Sequence, residues 1–291
     1  METLEFGKNE KTKILTLDQL KQTASLAEVS GKLPANKPVE HFQLIESISE
    51  LLAKKNYDFN LDNIYVAEKE SNTIPMLDKE KKKLLRSYIF RRMVTKINPT
   101  IGGFNFKGHK PTIAIGYTEA GIQVSFGINV NICANMCIFG GKIMMTYGNQ
   151  RMPFDKMMEL TEKYIMTLPE ISENDVAVLK AMRDIQIDRK EILENIGTLQ
   201  INAVKSAYFK GDFPLNISQV SQFSSGIIRE IPDFMEEENN KKMDLYDFYN
   251  TGTRILHPEK SDISTIWPAV SDWGDFISNQ YKIEVPTVKL N

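Results

Sequence analysis

The clearest periodicity in the chain alternates apolar and polar side chains from Ile122 to Cys133, within a predicted strand that runs from Ile122 to Phe139. A period of two is that of a β-strand, whose successive side chains point to opposite faces of a sheet. A preceding apolar run at Thr112–Tyr117 and a turn at Thr118–Gly121 predict that this strand is the return arm of a hairpin. The hairpin then has one apolar face and one face of small polar side chains. The apolar positions are Ile122, Val124, Phe126, Ile128, Val130 and Ile132, and between them lie Gln123, Ser125, Gly127, Asn129, Asn131 and Cys133.

The chain before the hairpin mixes helical and strand patterns. Met1–Lys13 is polar and charged, which predicts a flexible arm. Apolar residues then recur every three or four positions from Val39 to Leu52, the spacing of an amphipathic helix. The elements predicted here are a helix at Leu15–Val29, a helix from Val39, a strand at Ile64–Ala67, a helix at Asp78–Arg86 and a strand at Ser87–Ile97.

From Pro153 onward the pattern is helical. Pro153 suits the first turn of a helix that runs to Leu168, and Pro169 is predicted to end it. Ser172 and Asp188 are residue types that cap helix N-termini, and a glutamate three residues after Asp188 completes a capping box. Further helices are predicted at Ile192–Tyr208, Leu245–Leu256 and Ser264–Gln280. The predicted fold class is α+β, with a twisted antiparallel sheet in the N-terminal half packed by helices and a mostly helical C-terminal half.

Composition places the chain among ordinary globular proteins, with 291 residues, 42% hydrophobic and 25% charged. We expect a flexible arm at 1–13, a sheet-containing region at 14–152 and a helical region at 153–291, the last two forming one continuous domain. The formal net charge of −2 argues against a protein that coats nucleic acid by bulk charge, but it permits a local basic patch. No secretory signal is seen, and no apolar run approaches the ~18 residues of a membrane span. These features predict a cytoplasmic protein without a membrane partner.

The two cysteines, Cys133 and Cys137, lie within the predicted return strand. At ~3.3 Å per residue their sulfurs would lie about 13 Å apart, which is too far for a disulfide. A zinc site needs four ligands, and the histidines His41, His109 and His257 are distant in sequence. We interpret the cysteines as buried structural thiols and predict neither metal nor cofactor; metal or redox chemistry is the alternative.

Two surfaces are candidates for binding. The polar side of the return strand could line a ligand pocket or contact nucleic acid; the alternative is the outer face of a half-exposed sheet that meets water or a helix. The second candidate is the densest basic cluster, where four side chains of the predicted helix share a face that can meet phosphates. Its alternative is a solvated charged face. The polar candidates are Gln123, Ser125, Asn129, Asn131, Cys133 and Asn135, and the basic candidates are Lys79, Lys82, Lys83, Arg86, Arg91 and Arg92, with Tyr88 and Phe90 placed to stack on unpaired bases.

No catalytic motif is present in the sequence. There is no G-x-S-x-G nucleophile elbow, no phosphate-binding loop of the Walker type and no H-E-x-x-H metal motif. The catalytic residues therefore stay unknown, and a non-enzymatic role is expected over an enzymatic one.

Two short blocks resemble a phage/plasmid-like family known as domain of unknown function 932. Val130–Gly141 is similar to the family's V-x-V-C-x-N-x-x-x-x-G core, with Cys133 and Asn135 at the matching positions. Leu245–Thr253 is similar to its L-W-x-L-[FY]-N-x-x-T motif, with Asn250 and Thr253 matching and Tyr246 in place of the usual tryptophan. One departure is Thr146-Tyr147-Gly148-Asn149, where the family typically has K-H-T.

The resemblance implies a gene carried by phages, plasmids or integrative elements, and it supplies no catalytic residues. Together with the basic cluster it predicts a non-enzymatic mobile-element protein that binds single-stranded nucleic acid or a phage or plasmid replication or recombination protein, in a bacterial host cell or a phage-infected cell. One alternative is a structural, cargo or assembly protein of a phage particle, for which 13 methionines offer adaptable apolar contacts. Another is an enzyme with an unrecognised site around Cys133 and Asn135. The oligomeric state is left open.

Overall fold

A computed structural model describes residues 12–28, 39–71, 88–106, 108–118, 121–130, 138–139, 144–146, 154–209, 216–232, 241–255 and 263–284. Within them the predicted fold class is confirmed. An antiparallel sheet occupies the N-terminal half, helices pack on it, and the C-terminal half is mostly helical.

The sheet has a main path in the order β1-β4-β5-β6-β7-β8, and each of these strands runs antiparallel to its neighbours. Two short strands, β2 and β3, pair with β5, and β9 pairs with β7. The bounds are β1 Thr12–Leu15, β2 Leu26–Glu28, β3 Phe59–Leu61, β4 Ile64–Ser71, β5 Tyr88–Pro99, β6 His109–Thr118, β7 Gly121–Val130, β8 Ile138–Phe139 and β9 Met144–Thr146.

Among the described residues, two helices belong to the N-terminal half and the others follow the sheet. A second, two-stranded sheet pairs β10 Gln186–Ile187 with β11 Met243–Asp244. The helices are α1 Leu17–Lys21, α2 His41–Lys54, α3 Phe154–Met166, α4 Leu168–Asp184, α5 Arg189–Phe209, α6 Ile217–Glu230, α7 Leu245–Ile255 and α8 Ile263–Gln280. The sequence pattern did not predict α6.

Of the two helix caps predicted in the C-terminal half, one is confirmed and the other is wrong. The capping box is confirmed before α5, where the Glu191 backbone N–H donates to Asp188 Oδ1 at 3.0 Å and the Asp188 N–H donates to Glu191 Oε2 at 2.9 Å. The assignment of Ser172 as a cap is wrong, because this residue lies inside α4 and is buried. Pro169 sits in the first turn of α4, so it begins a helix after the one that it was predicted to end.

The helix predicted at Leu15–Val29 is also wrong. Thr16 and Gln19 form a capping box that begins a helix of one turn only, α1, which ends before Leu26–Glu28 extends to pair with β5. On the other side of α1, Thr12 and Lys13 pair with β4, so the end of the predicted arm belongs to the sheet. The ladder partners of both segments come from distant parts of the chain, and such tertiary pairing overrides local helix preference.

The predicted hairpin is confirmed, but its return strand is shorter than expected. Ser125 lies opposite Ala114 and Phe126 opposite Ile113, and the hairpin closes between Thr118 and Gly121. The extension to Phe139 is wrong, because β8 runs antiparallel beside β7 and pairs Phe139 with Ile128. The distance of about 13 Å inferred between the cysteines required one continuous strand. Both cysteines lie outside the described residues.

Two hydrophobic cores hold the described chain together. The first lies between one face of the sheet and helices α2 and α3, and it includes Ile45, Val124 and Phe126. The second is built by helices α4 to α8 around Trp273. Helix α4 contributes to both, since its start belongs to the first core and its second half to the second core. The sheet and the helical half are therefore joined along this helix.

Candidate functional site

The two faces of the central strands β5, β6 and β7 differ sharply in chemistry. Side chains directly opposite in antiparallel pairs share a face, so the register assigns each residue. The face that enters the first core carries Met93, Ile97, Ile113, Ile115, Tyr117, Ile122, Val124 and Phe126. On the other side the exposed Lys110 lies opposite Asn129 at the open end of the hairpin. The buried residues of that side are here named the polar face: Arg92, Val94, Lys96, Asn98, Thr112, Ala114, Gly116, Thr118, Gln123, Ser125, Gly127 and Asn129.

The polar face is buried. Gln123, Ser125 and Asn129 are 6%, 1% and 7% exposed, and the two cations Arg92 and Lys96 are 5% and 6% exposed. The sheet therefore does not present this face to bulk water. Charged and polar groups lose hydration when they are buried, so each needs compensating contacts with the protein or with a ligand.

Hydrogen bonds on the polar face cross from strand to strand. The Lys96 ammonium on β5 donates to Asn129 Oδ1 on β7 at 3.3 Å, so its side chain spans the intervening strand β6. One row away, Thr112 Oγ1 donates to Asn98 Oδ1 at 2.8 Å. The ammonium of Lys96 thereby lies near the open end of the hairpin, opposite its turn.

A buried hydroxyl lies on the same face, on strand β7. Ser125 Oγ has no hydrogen-bond partner within the protein, although Ser125 is almost completely buried. Its neighbours on the same face are small: Ala114 lies opposite Ser125, and Gly116 and Gly127 lie in adjacent rows. A buried hydroxyl without a partner is uncommon in proteins and calls for an explanation such as a ligand or an ordered water.

The charged side chains that the described strands contribute to the polar face are cations. Arg92 and Lys96 project from β5, and within the described parts of β4 to β7 no aspartate or glutamate alternates onto this face. Ammonium and guanidinium groups are the usual protein partners of phosphate and carboxylate oxygens. The arrangement can bind an anion while its amides and hydroxyls offer neutral hydrogen bonds.

The predicted basic cluster is only partly described. Lys79, Lys82, Lys83 and Arg86 lie outside the described residues. Arg91 has a structural role, since its Nε donates to Glu68 Oε1 at 3.0 Å and a terminal nitrogen donates to the Ala24 carbonyl at 2.6 Å. Arg92 belongs to the polar face, so it joins the other predicted group of site residues.

The predicted stacking residue Phe90 is not available to a base. It is fully buried in the first core and stacks on Tyr117, with ring centroids 5.5 Å apart. The side chain of Tyr88 is not among those described.

The two sequence blocks that resemble the family are also only partly described. Asn131, Cys133 and Asn135 lie outside the described residues, whereas Asn250 and Thr253 lie buried on α7. Thr253 Oγ1 donates to the Asn250 carbonyl at 2.9 Å, and Asn250 Oδ1 is buried without a partner. Gly252 between them is required by packing, because a Cβ there would lie 2.3 Å from Trp273 Nε1.

Tyr246 joins α7 to the sheet. Its hydroxyl lies 2.8 Å from His109 Nε2, and the Arg183 guanidinium lies over its ring, 4.6 Å from the centroid. Burial and the neighbouring Asp244 carboxylate raise the pKa of Asp247, the next residue on α7. This cluster holds the two halves of the protein together.

Among the polar-face residues missing from the predicted site are Lys96, Asn98 and Thr112. A signal for the first two exists, because Arg92, Lys96 and Asn98 are separated by even numbers of residues along β5 and therefore share a face. The basic residues before it make Lys96 resemble part of a charge run instead. Thr112 could only be added once the pairing of β6 with β5 was known.

His41 is the titratable group buried on the opposite side of the sheet. Its ring lies edge-on to Tyr117, with centroids 4.7 Å apart, and Nε2 donates to the Arg91 carbonyl at 2.6 Å. Nδ1 is buried without a partner. Burial lowers the pKa of His41 to about 4, so the ring is neutral at pH 7.

Neither a metal site nor a membrane-spanning helix is found among the described residues. No group of three or more His, Cys, Asp or Glu side chains in this part of the chain is arranged to hold a metal ion. Nor does any helix among these residues combine the length and apolar character that a membrane span requires.

No protein-family model, no curated protein and no solved structure matches the chain. The resemblance to domain of unknown function 932 therefore stays a prediction.

Proposed function

We propose that this chain is a non-enzymatic protein of a phage- or plasmid-type mobile element, and that it binds single-stranded nucleic acid through the polar face. The observation that carries the proposal is a buried sheet face that holds both the Lys96 ammonium, hydrogen-bonded to Asn129, and the unpartnered hydroxyl of Ser125. The family resemblance of two sequence blocks supplies the genetic context.

The chemistry of the face favours a single strand over a duplex. Unpaired bases offer donors and acceptors that side-chain amides such as those of Gln123 and Asn129 can contact, whereas the bases of a duplex are stacked inside it. The cations beside these amides can neutralise phosphates of the same strand.

The low net charge limits the number of phosphates that the protein neutralises. Two cations on the polar face correspond to a salt dependence with a slope of roughly −1.4 in log–log form, at about −0.7 for each phosphate of a single strand. A coating protein with many phosphate contacts has a much steeper dependence. The slope therefore reports whether binding occurs at one local site.

The test measures fluorescence anisotropy of a labelled single-stranded oligonucleotide titrated with the full chain over a series of salt concentrations. Lys96→Met is expected to weaken binding at least tenfold, because it removes a charge that is desolvated at the site. Lys96→Arg keeps the charge and should retain part of the affinity. Lys54→Met is the matched control, since Lys54 is largely exposed and pairs with Glu162 far from this face.

The same titration separates the two basic groups of the sequence. Lys82→Glu and Arg86→Glu alter residues of the predicted cluster, whereas Lys96→Met alters the polar face. If all three variants lose binding, a single strand contacts both the predicted basic cluster and the polar face. Absence of binding at low salt, or equal binding by wild type and Lys96→Met, would reject the proposal.

A further inference from the structure

Helix α5 carries apolar side chains on two sides, and only one of them is buried. Ile192, Ile196, Leu199 and Ala203 face the second core. On the other side Leu193, Ile201, Val204 and Tyr208 are 40%, 55%, 44% and 75% exposed. With Gly197 they follow spacings of four, four, three and four residues, which places all five within one stripe of a helix. We name Leu193, Gly197, Ile201, Val204 and Tyr208 the α5 stripe.

We propose that the α5 stripe is the interface of a homodimer, in which two copies of α5 pack antiparallel about a two-fold axis near Gln200. The stripe from Leu193 to Tyr208 is about 22 Å long, at about 1.5 Å per residue. In a two-fold interface each residue meets its mirror position along the partner helix. Leu193 of one copy then lies opposite Tyr208 of the other, and Ile201 lies close to the axis.

Charge complementarity supports a second copy of this chain as the partner of the stripe over an unrelated protein. Glu194 and Lys205 are exposed and flank the same side of the stripe. The midpoint of this pair along the helix falls within one residue of the midpoint between Leu193 and Tyr208. The axis that pairs the apolar side chains therefore also brings Glu194 of each copy opposite Lys205 of the other. Such a two-fold match of apolar and charged positions is what a self-complementary surface requires.

Gly197 is a second, independent indication. It lies in the interior of a long helix, where glycine is less favourable than alanine by about 1 kcal/mol. Packing within the described residues does not require it, because a Cβ built at this position meets none of their atoms within 4 Å. In the antiparallel pair Gly197 lies opposite Val204 of the other copy, where a missing side chain lets the two helices approach closely.

Sedimentation velocity of the full chain over a range of concentrations tests the proposal. The wild type should sediment as a dimer at high concentration and dissociate on dilution. Ile201→Glu brings two like charges together at the axis, so it should weaken the dimer at least tenfold. Met166→Glu is the matched control, because Met166 is exposed at 60% at the end of α3 and lies away from the stripe. It should leave the dimer unchanged.

A charge swap keeps the test decisive if Ile201→Glu disturbs folding. Glu194→Lys alone should weaken the dimer by about tenfold, and Glu194→Lys combined with Lys205→Glu should restore it, because the pairing is re-formed with opposite signs. A wild-type chain that is monomeric at every concentration overturns the proposal. A dimer that persists in Ile201→Glu, or that the combined swap fails to restore, overturns it as well.

Discussion

The two faces of strands β5 to β7 share one backbone and are both buried, yet they contribute to the protein in opposite ways. The apolar face packs against α2 and α3, and its burial stabilises the fold. The polar face buries Arg92 and Lys96, whose loss of hydration costs stability. Burial therefore does not by itself identify a core. Polar groups that are buried at such a cost need hydrogen-bond or ion-pair partners in the protein or in a ligand.

The largest effect is expected on the apolar face, at Phe126. Phe126→Ala should lower the free energy of unfolding by about 4 kcal/mol, because the ring is fully buried and contacts Tyr164, with centroids 5.3 Å apart. Urea denaturation followed by circular dichroism measures the change. A loss below about 1 kcal/mol would mean that this face is not the main core of the sheet.

The second largest effect is a dependence of stability on pH, which comes from His41 on the apolar side of the sheet. Folding lowers the pKa of His41 to about 4 from its ordinary 6.5, so the unfolded chain binds more protons between these two values. The stability from neutral His41 is fully present above pH 6.5 and is lost as pH falls towards 4. At pH 5 the loss should be about 2 kcal/mol relative to pH 7.5.

The matched variant for this pH dependence is His41→Gln, which cannot titrate and can keep a donor to the Arg91 carbonyl. The difference in unfolding free energy between wild type and His41→Gln should shrink from pH 7.5 to pH 5. Both proteins carry the same carboxylates, so the titration of these groups cancels in the difference. A difference that stays constant from pH 7.5 to pH 5 would therefore show that His41 is not held neutral.

A smaller change in stability is expected on the polar face, at Lys96. Lys96→Met replaces a buried charge with an apolar side chain of similar length, so the unfolding free energy should change by less than about 1 kcal/mol in either direction. Urea denaturation of Lys96→Met beside Lys54→Met measures it. A loss of about 3 kcal/mol or more would assign the cation to the fold and weaken the contrast between the faces.

The smallest effect is expected at Ser125, the neighbour of Phe126 on the opposite face. Ser125→Ala removes a buried hydroxyl that has no partner in the protein, so stability should stay within about 0.5 kcal/mol of wild type or rise slightly. Comparison with Phe126→Ala tests two consecutive residues of one strand. Similar losses in both variants would erase the difference between the faces.

The sequence predicted these faces because the alternation from Ile122 to Val130 is local information. The hairpin and the identity of the apolar side follow from it directly. The end of the strand did not, since the predicted strand continues to Phe139 while β8 already pairs with β7. Periodicity shows which residues share a face, but it does not show where a chain reverses.

The candidate site was predictable only in part for the same reason. Gln123, Ser125 and Asn129 lie on one strand, so one pattern names all three. Lys96 and Thr112 join them through the ladders of β5 with β6 and β6 with β7, which are contacts between distant parts of the chain. Arg91 shows the converse limit, because its charge suggested phosphate binding while its contacts with Glu68 and Ala24 are structural.

The most direct test of the central claim is the thermal unfolding midpoint with and without a single-stranded oligonucleotide at low salt, compared between wild type and Lys96→Met. A ligand that binds the folded state raises the midpoint. The account predicts a rise for wild type, little or no rise for Lys96→Met, and similar midpoints for the two proteins without the oligonucleotide. An equal rise in both proteins, or no rise in wild type, would contradict the assignment of the polar face as a binding surface.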